Sequence, residues 1–418
     1  MSRHDPYAAL RVPNFRAYIL ALLTLTLGVQ VQGVVVAWQL YAITRDPLSL
    51  GLIGLAEALP FIATALYAGH VADRIDRRRL TVAAAVVLLA CSVALLACTV
   101  GGLLATRRSV WIVYAVIALS GVARSFLQPA RTALSAEIVP RELYANSITW
   151  RSSTWQLAAV AGPALGGLVY GWHGATAGYV VDVALTAAGA GWFAAIRHRS
   201  PERSPIGEGL SRSLRAGLRF VWRSPVVLGA MTLDLFAVLF GGATALLPVF
   251  ASEILHVGPR GLGLLRAAPA AGAVVVSVLL TYRRPWERAG HALLASVAAF
   301  GLCMVGFGLS RDFLTSLVLL MVSGAADMVS VNIRSMLLQT HTPADMLGRV
   351  SAVNAIFIGS SNEIGAFESG VAARLFGTAR SVVLGGVMTL LVVGATAWRA
   401  PALRRLRRIE SPAAPAAA

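Results

Sequence analysis

LTVAAAVVLLACSVALLACTVGGLLAT, residues 80–106, contains no charged side chain, and residues 381–397 form a second such run. A helix that crosses a bilayer needs about 20 mostly apolar residues, and the chain supplies that length repeatedly on both sides of this stretch. Of its 418 residues, 57% are hydrophobic and 13% charged, and the mean hydropathy is +0.71. Soluble domains carry about 25% charged residues, so a soluble globule of this size would lack the polar side chains to cover its surface. Intrinsic disorder, a disulfide scaffold and a soluble enzyme are excluded. So is a β-barrel, whose strands alternate rather than run apolar. The sequence predicts an all-α polytopic membrane protein. No cleavable signal peptide is expected, because the first apolar run is too long for an h-region and no small-residue cleavage site follows it.

Hydropathy predicts twelve transmembrane helices. Six lie near 17–43, 49–71, 81–103, 110–131, 146–170 and 175–196, and six near 225–250, 260–281, 290–309, 313–334, 349–374 and 380–398. The expected organisation is a six-helix bundle over 1–196, a cytoplasmic linker over 197–224, a second six-helix bundle over 225–400 and a cytoplasmic tail over 401–418. Residues 411–418, made only of Ser, Pro and Ala, read as a disordered end.

The net charge of +17 comes from arginine alone: all 36 basic residues are Arg. With both termini placed in the cytoplasm, 26 of them fall on cytoplasmic termini, loops and helix ends, Arg131 and Arg334 included, against six on the opposite face. That asymmetry is the positive-inside pattern, so the charge sets topology and calls for no nucleic-acid partner. In the linker, Leu210, Leu214, Leu218 and Val221 follow a helical period while Arg212, Arg215, Arg219 and Arg223 take the other face. A basic amphipathic helix on anionic membrane lipid is the expectation; an ordinary solvated linker helix is the alternative. Cys91, Cys98 and Cys303 lie in apolar spans and read as small core residues.

An internal repeat sets the architecture. The stretch from Arg131 to Pro140 aligns with that from Arg334 to Pro343 at an offset of 203, which also places Gly162 on Gly365 and Gly167 on Gly370. Six helices followed by six in the same orientation form a parallel repeat about the membrane normal, as in transporters that bind substrate near the midplane and expose it alternately.

The segment from Gly69 to Leu80, GHVADRIDRRRL, resembles the cytoplasmic-loop signature of the major facilitator superfamily. Val71 stands where that signature usually has Leu, and Asp76 where it has a second Gly. Asn14-Phe15-Arg16, the stretch from Trp38 to Tyr41 with Thr44 and Pro47, and the stretch from Gly217 to Val221 are similar to the branch of enterobactin exporters. The resemblance implies the major facilitator fold and a role for Gly69, Asp73 and Arg77 in locking the cytoplasmic side closed. In physical terms, Gly69 would permit close helix approach, and Asp73 would pair with an arginine or cap a helix. Gly162-Pro163-Ala-Leu-Gly166-Gly167 resembles a motif associated with export. Gly162 and Gly166 form a GxxxG pair for tight helix packing, and Pro163 bends its helix; packing with no bearing on direction is the alternative.

Ionisable residues inside spans are costly and mark candidate functional sites. Arg124, Asp234, Arg266, Asp327 and Glu363 lie within predicted helices, with Glu57 nearer an end. The resemblance puts all of them on helices that border the transport cavity, where Gln30 and Gln32 are candidates for substrate contact. Asp182, near the outer end of a peripheral helix, reads as structural. The repeat offset places Arg124 on Asp327, as a pair that closes the cavity or as two anchors for a zwitterion. Desolvated carboxylates favour the protonated form, so the expectation is proton-coupled antiport titrated at Asp234, Asp327 or Glu363 with Arg124 as competing partner. Structural ion pairs are the alternative.

There is no phosphate-binding loop, metal-ligand spacing or nucleophile elbow, so no enzyme activity, cofactor or metal is expected. The expected partners are a small-molecule substrate, protons and membrane lipids, with the chain a monomer in a bacterial cytoplasmic membrane. The sequence points to efflux of a small amphipathic molecule, a drug or a secreted metabolite such as a siderophore. Uptake, lysolipid transport and a transport-inactive sensor or assembly subunit remain open.

Overall fold

A proline at the first position of a helix gives up an N–H that has no partner there anyway, and α1 (Pro13–Thr44) and α2 (Pro47–Arg74) both begin that way. Between them Arg45 takes the left-handed conformation that ends α1, at φ 50°. In this computed structural model, which describes residues 5–198, 210–282, 286–343 and 346–406, the spanning elements are α-helices and the described residues contain no strand. The expected linker is described only to 198 and from 210, and the expected tail only to 406. Their remainders, with Arg283 and Arg284, lie outside the described residues.

After α2 come α3 (Arg77–Val100) and α4 (Val110–Glu137). Asp76 caps α3, its Oδ1 accepting the Arg79 N–H at 2.8 Å. The two spans expected at 146–170 and 175–196 form one continuous helical stretch, α5 (Tyr144–Ala195), divided only at Gly174 with φ 77° and ψ −172°. A side chain would be strained at that φ, so one glycine turns the chain between limbs 144–173 and 175–195.

The chain continues through α6 (Leu210–Arg223), α7 (Pro225–Phe240), α8 (Gly258–Thr281), α9 (Ala289–Leu309), α10 (Phe313–His341), α11 (Leu347–Phe376), α12 (Thr378–Arg399) and the short α13 (Pro401–Arg404). The span expected over 225–250 is not continuous. α7 stops at Phe240 before Gly241 and Gly242, and a tight 3-10 turn and a π-helical turn at Phe250–Ile254 carry the chain on. Adjacent glycines weaken a helix there. Asp312 caps α10 by accepting the Thr315 N–H at 2.8 Å, and these backbone bonds hold its carboxyl below the usual carboxylate range.

Ten helical segments among the described residues are long and apolar enough to cross a membrane, one of them the stretch that Gly174 divides. The twelfth span, α11, falls outside that set; Asn354, Asn362, Glu363 and Glu368 lower its hydropathy. With the two limbs of α5 counted separately and α11 added, the described helices cover the twelve expected spans.

The helices gather into two compact units. Unit 1 holds 1–45, 55–206 and 257–267; unit 2 holds 46–54, 207–256 and 268–418. In unit 1, α1 packs along α5, and α3 packs on α4 and α5, around Phe15, Tyr18, Leu88, Leu134 and Phe193. In unit 2, α9 packs between α10 and α12 while α11 lies on α7, around Leu233, Leu293, Ile333 and Leu337. The basic helix α6 also belongs to unit 2. Its Val221 is fully buried against Val227, Val350 and Val353, and Gly217 fits over the Arg349 carbonyl. Part of the apolar face expected to lie on lipid is therefore used on α11.

Candidate functional site

Seven residues along a helix return to nearly the same face after two turns, so α10 carries Asp327 and Arg334 on one side. Arg334 forms an ion pair with Asp234 of α7, and both residues are buried. Arg334, counted above among the arginines of loops and helix ends, is buried in this pair; its repeat equivalent Arg131 donates to Gln128 at 2.7 Å. Asp327 makes no hydrogen bond or ion pair among the described residues, although Arg334 and Asp234 both act on it electrostatically. It borders a cavity of about 190 Å³ inside unit 2, lined also by Asp234, Ser330, Asn362, Phe300 and Met304 and by the Gly241–Gly242 break. Glu363 lies beside Gly54, also in unit 2.

In unit 1, Arg124 of α4 pairs with Glu57 of α2, and Gly121 lets α4 approach the Glu57 backbone closely. The repeat offset relates Arg124 to Asp327; within its own unit Arg124 pairs with Glu57, while Arg334 and Asp234 act electrostatically on Asp327. Gln32, expected at the substrate path, is hydrogen-bonded within unit 1. Its amide nitrogen donates to Asp182 Oδ2 and to Ser92 Oγ, both at 3.0 Å. Thr186 donates to Asp182 Oδ1 at 3.1 Å, and Asp182 is fully buried. Asp182 therefore ties α1, α3 and the second limb of α5 together. Substituting Asp182→Leu strands the Gln32 and Thr186 donors and is expected to cost about 1–3 kcal/mol for each. Asp182→Asn, which keeps one acceptor, should lose clearly less; equal losses in unfolding measurements on the purified protein would refute the network.

Gln30 packs against Gly162, where an added Cβ would lie 2.5 Å from the Gln30 Cβ. Gly166 fits against Val31, and Gly167 and the Pro163 carbonyl meet Gly263. The helix-packing motif thus makes backbone-close contacts at each of its four residues. Arg266 donates to the Gly33 carbonyl at 2.9 Å.

A Cβ on Gly69 would meet no described atom within 4 Å. The Asp73 side chain lies outside the described residues; Asp76 caps α3. Arg77 pairs with Glu137 at 2.8 Å, both nearly buried, and His198 Nε2 lies 3.5 Å from the other Glu137 oxygen. Glu137, His198 and Ser330 escaped the sequence reading, and Arg334 entered it through the arginine count and the repeat but not as a partner of Asp234.

Set beside known proteins, the whole chain finds relatives. The family model described as transmembrane secretion effector matches residues 4–415. The enterobactin exporter EntS of Citrobacter koseri is 27% identical over 93% of this chain and 94% of its own length. That of Shigella flexneri is 28% identical over 91% and 92%. Among solved structures, a peptide transporter POT in complex with sulfate superposes with TM-score 0.75 at 12% identity, covering 97% of this chain and 100% of its own. A bacterial homolog of the human lysosomal transporter Spinster does so with TM-score 0.73 at 16% identity, covering 99% and 100%. The matched family, the relatives and the shared fold agree: the chain belongs to the transmembrane secretion effector family of the major facilitator superfamily and is a multi-pass secondary transporter.

Proposed function

We propose that this transporter exports a small siderophore-like molecule in exchange for protons, with Asp327 carrying the coupling proton. The observation behind the coupling step is an unpartnered carboxylate bordering an interior cavity, two helical turns from a guanidinium already committed to Asp234. Deprotonated, Asp327 competes with Asp234 for Arg334; protonated, it releases Arg334 to Asp234 alone. A proton thereby alters the balance of charge across α7 and α10, and alternating access follows if the two protonation states favour different conformations. The export direction and the substrate class rest on the enterobactin exporters among the relatives.

In this reading the protein sits as a monomer in the bacterial inner membrane with both termini cytoplasmic, its arginines facing inward. The boundaries 1–196, 197–224, 225–400 and 401–418 mark the functional lobes, linker and tail, and Gly69, Asp73 and Arg77 serve the cytoplasmic gate. Glu57–Arg124 is a second ion pair available to rearrange, with Arg266 and Glu363 along the path. The test uses purified protein in liposomes loaded with a pH dye. Catecholate siderophores are expected to drive proton flux in the wild type, and Asp327→Asn to reduce it at least about tenfold, the factor that 1.4 kcal/mol represents. Undiminished flux in Asp327→Asn removes Asp327 from the coupling step.

A further inference from the structure

The cavity in unit 2 has a second feature that proton coupling does not use. Ser330, one turn from Asp327 on α10, is 2% exposed, lines the cavity and leaves its buried hydroxyl without a hydrogen-bond partner. Buried hydroxyls without partners are uncommon and costly. Asn362 borders the same space; its amide nitrogen donates to the Ile358 carbonyl at 2.8 Å, which leaves its oxygen as an acceptor. A free carboxylate, an unsatisfied hydroxyl and an amide oxygen therefore converge on one volume. The remaining wall is apolar and includes Phe300 and Met304.

Size and wall chemistry select the ligand class. At about 190 Å³ the cavity exceeds the 150 Å³ or so that accepts benzene in a protein interior. A bare metal cation needs about six oxygens at close range, and the apolar wall does not supply them. A protonated amine on a ring-sized apolar body fits each part. An ammonium has three donors and no acceptor, matching the three acceptors, and the ring of Phe300 can stack on the body or face the charge.

We infer that the cavity bounded by Asp327, Ser330, Asn362 and Phe300 is a binding site for a small organic ammonium ion bearing an apolar or aromatic body. It rests on the transport reading only in sharing Asp327, and it holds whether or not protons are exchanged.

The test is equilibrium binding to the purified full-length protein by calorimetry, with 2-phenylethylammonium as the probe. Phenylacetate and 2-phenylethanol serve as its anionic and neutral counterparts. The ammonium is expected to bind at one site, at least about tenfold tighter than either counterpart, a factor equivalent to 1.4 kcal/mol. Asp327→Asn should lose about tenfold in affinity. Ser330→Ala, which deletes only an unpartnered hydroxyl and leaves the ion pair untouched, should lose several-fold. Phenylacetate binding as tightly as the ammonium, or Ser330→Ala and Asp327→Asn both binding like the wild type, overturns the assignment. Lost proton flux with intact, charge-indifferent binding in Asp327→Asn sinks this site and leaves the transport reading standing. Lost ammonium binding with intact flux does the reverse.

Discussion

Replacing Asp234 with alanine is expected to destabilise the protein by about 3–5 kcal/mol, the range for removing one partner of a buried ion pair. Arg334 and Asp234 are 7% and 6% exposed, and the Arg334 Nε already lacks a hydrogen-bond partner. Without Asp234 the guanidinium must either stay unpaired in an apolar interior or turn to Asp327. That second route gives the prediction its internal control. Asp234→Ala combined with Asp327→Asn should cost more than the sum of the single changes, because the fallback carboxylate is gone. The pair Asp234→Leu with Arg334→Met should recover most of the loss, since apolar residues of similar size can replace a buried pair without penalty. Thermal unfolding followed by intrinsic tryptophan fluorescence reads these four variants against the wild type. A loss below about 1 kcal/mol for Asp234→Ala, in the range of surface pairs, would show that the pair is not buried in the working protein.

The second large effect concerns backbone. Helices α8 and α10 cross where Gly272 faces the Met321 carbonyl and Gly324 faces that of Pro269, both too close to admit a Cβ. The opposing atoms are main-chain oxygens, so no side chain can rotate out of the way. Overpacking a core costs about 1–3 kcal/mol and occasionally more. Gly272→Ala and Gly324→Ala should fall in that range and Gly272→Leu beyond it, with loss of folded protein in size-exclusion chromatography. On α11, a methyl group added at Gly359 would meet no described atom within 4 Å. Gly359→Ala should therefore be neutral or stabilising by about 0.5–1 kcal/mol, since glycine is a poor helix former. If all three alanine variants melted alike, the close crossing of α8 and α10 would be wrong.

Most of the architecture was legible because it rests on local signals. Apolar length gave the spans, which needs only the residues of each helix itself. What stayed hidden depends on which distant residues meet. Asp234 and Arg334 are 100 positions apart, and nothing in the spacing of either announces the other. The ion pair of Arg334 was not legible because a basic residue at the end of an apolar run looks the same whether it faces water or a carboxylate. Asp182 and Gln32 were read separately, one as structural and one as a substrate contact, and their shared network spans three helices. The break at Gly241–Gly242 was visible as two glycines, yet hydropathy runs across it without a dip.

The polar character of α11 also bears on how the chain is made. A charged residue at the centre of a helix opposes entry into lipid by about 2.5–3.5 kcal/mol on the insertion scale, and this helix carries Glu363 and Glu368 besides its asparagines. Emerging alone from the ribosome, it is a poor substrate for the insertion machinery. Its partners α6 and α7 precede it in synthesis and α12 follows. Packing against α6 and α7, which are made first, offsets that cost, so deleting α6 and α7 is expected to lower the membrane insertion of α11 in a glycosylation-mapping assay.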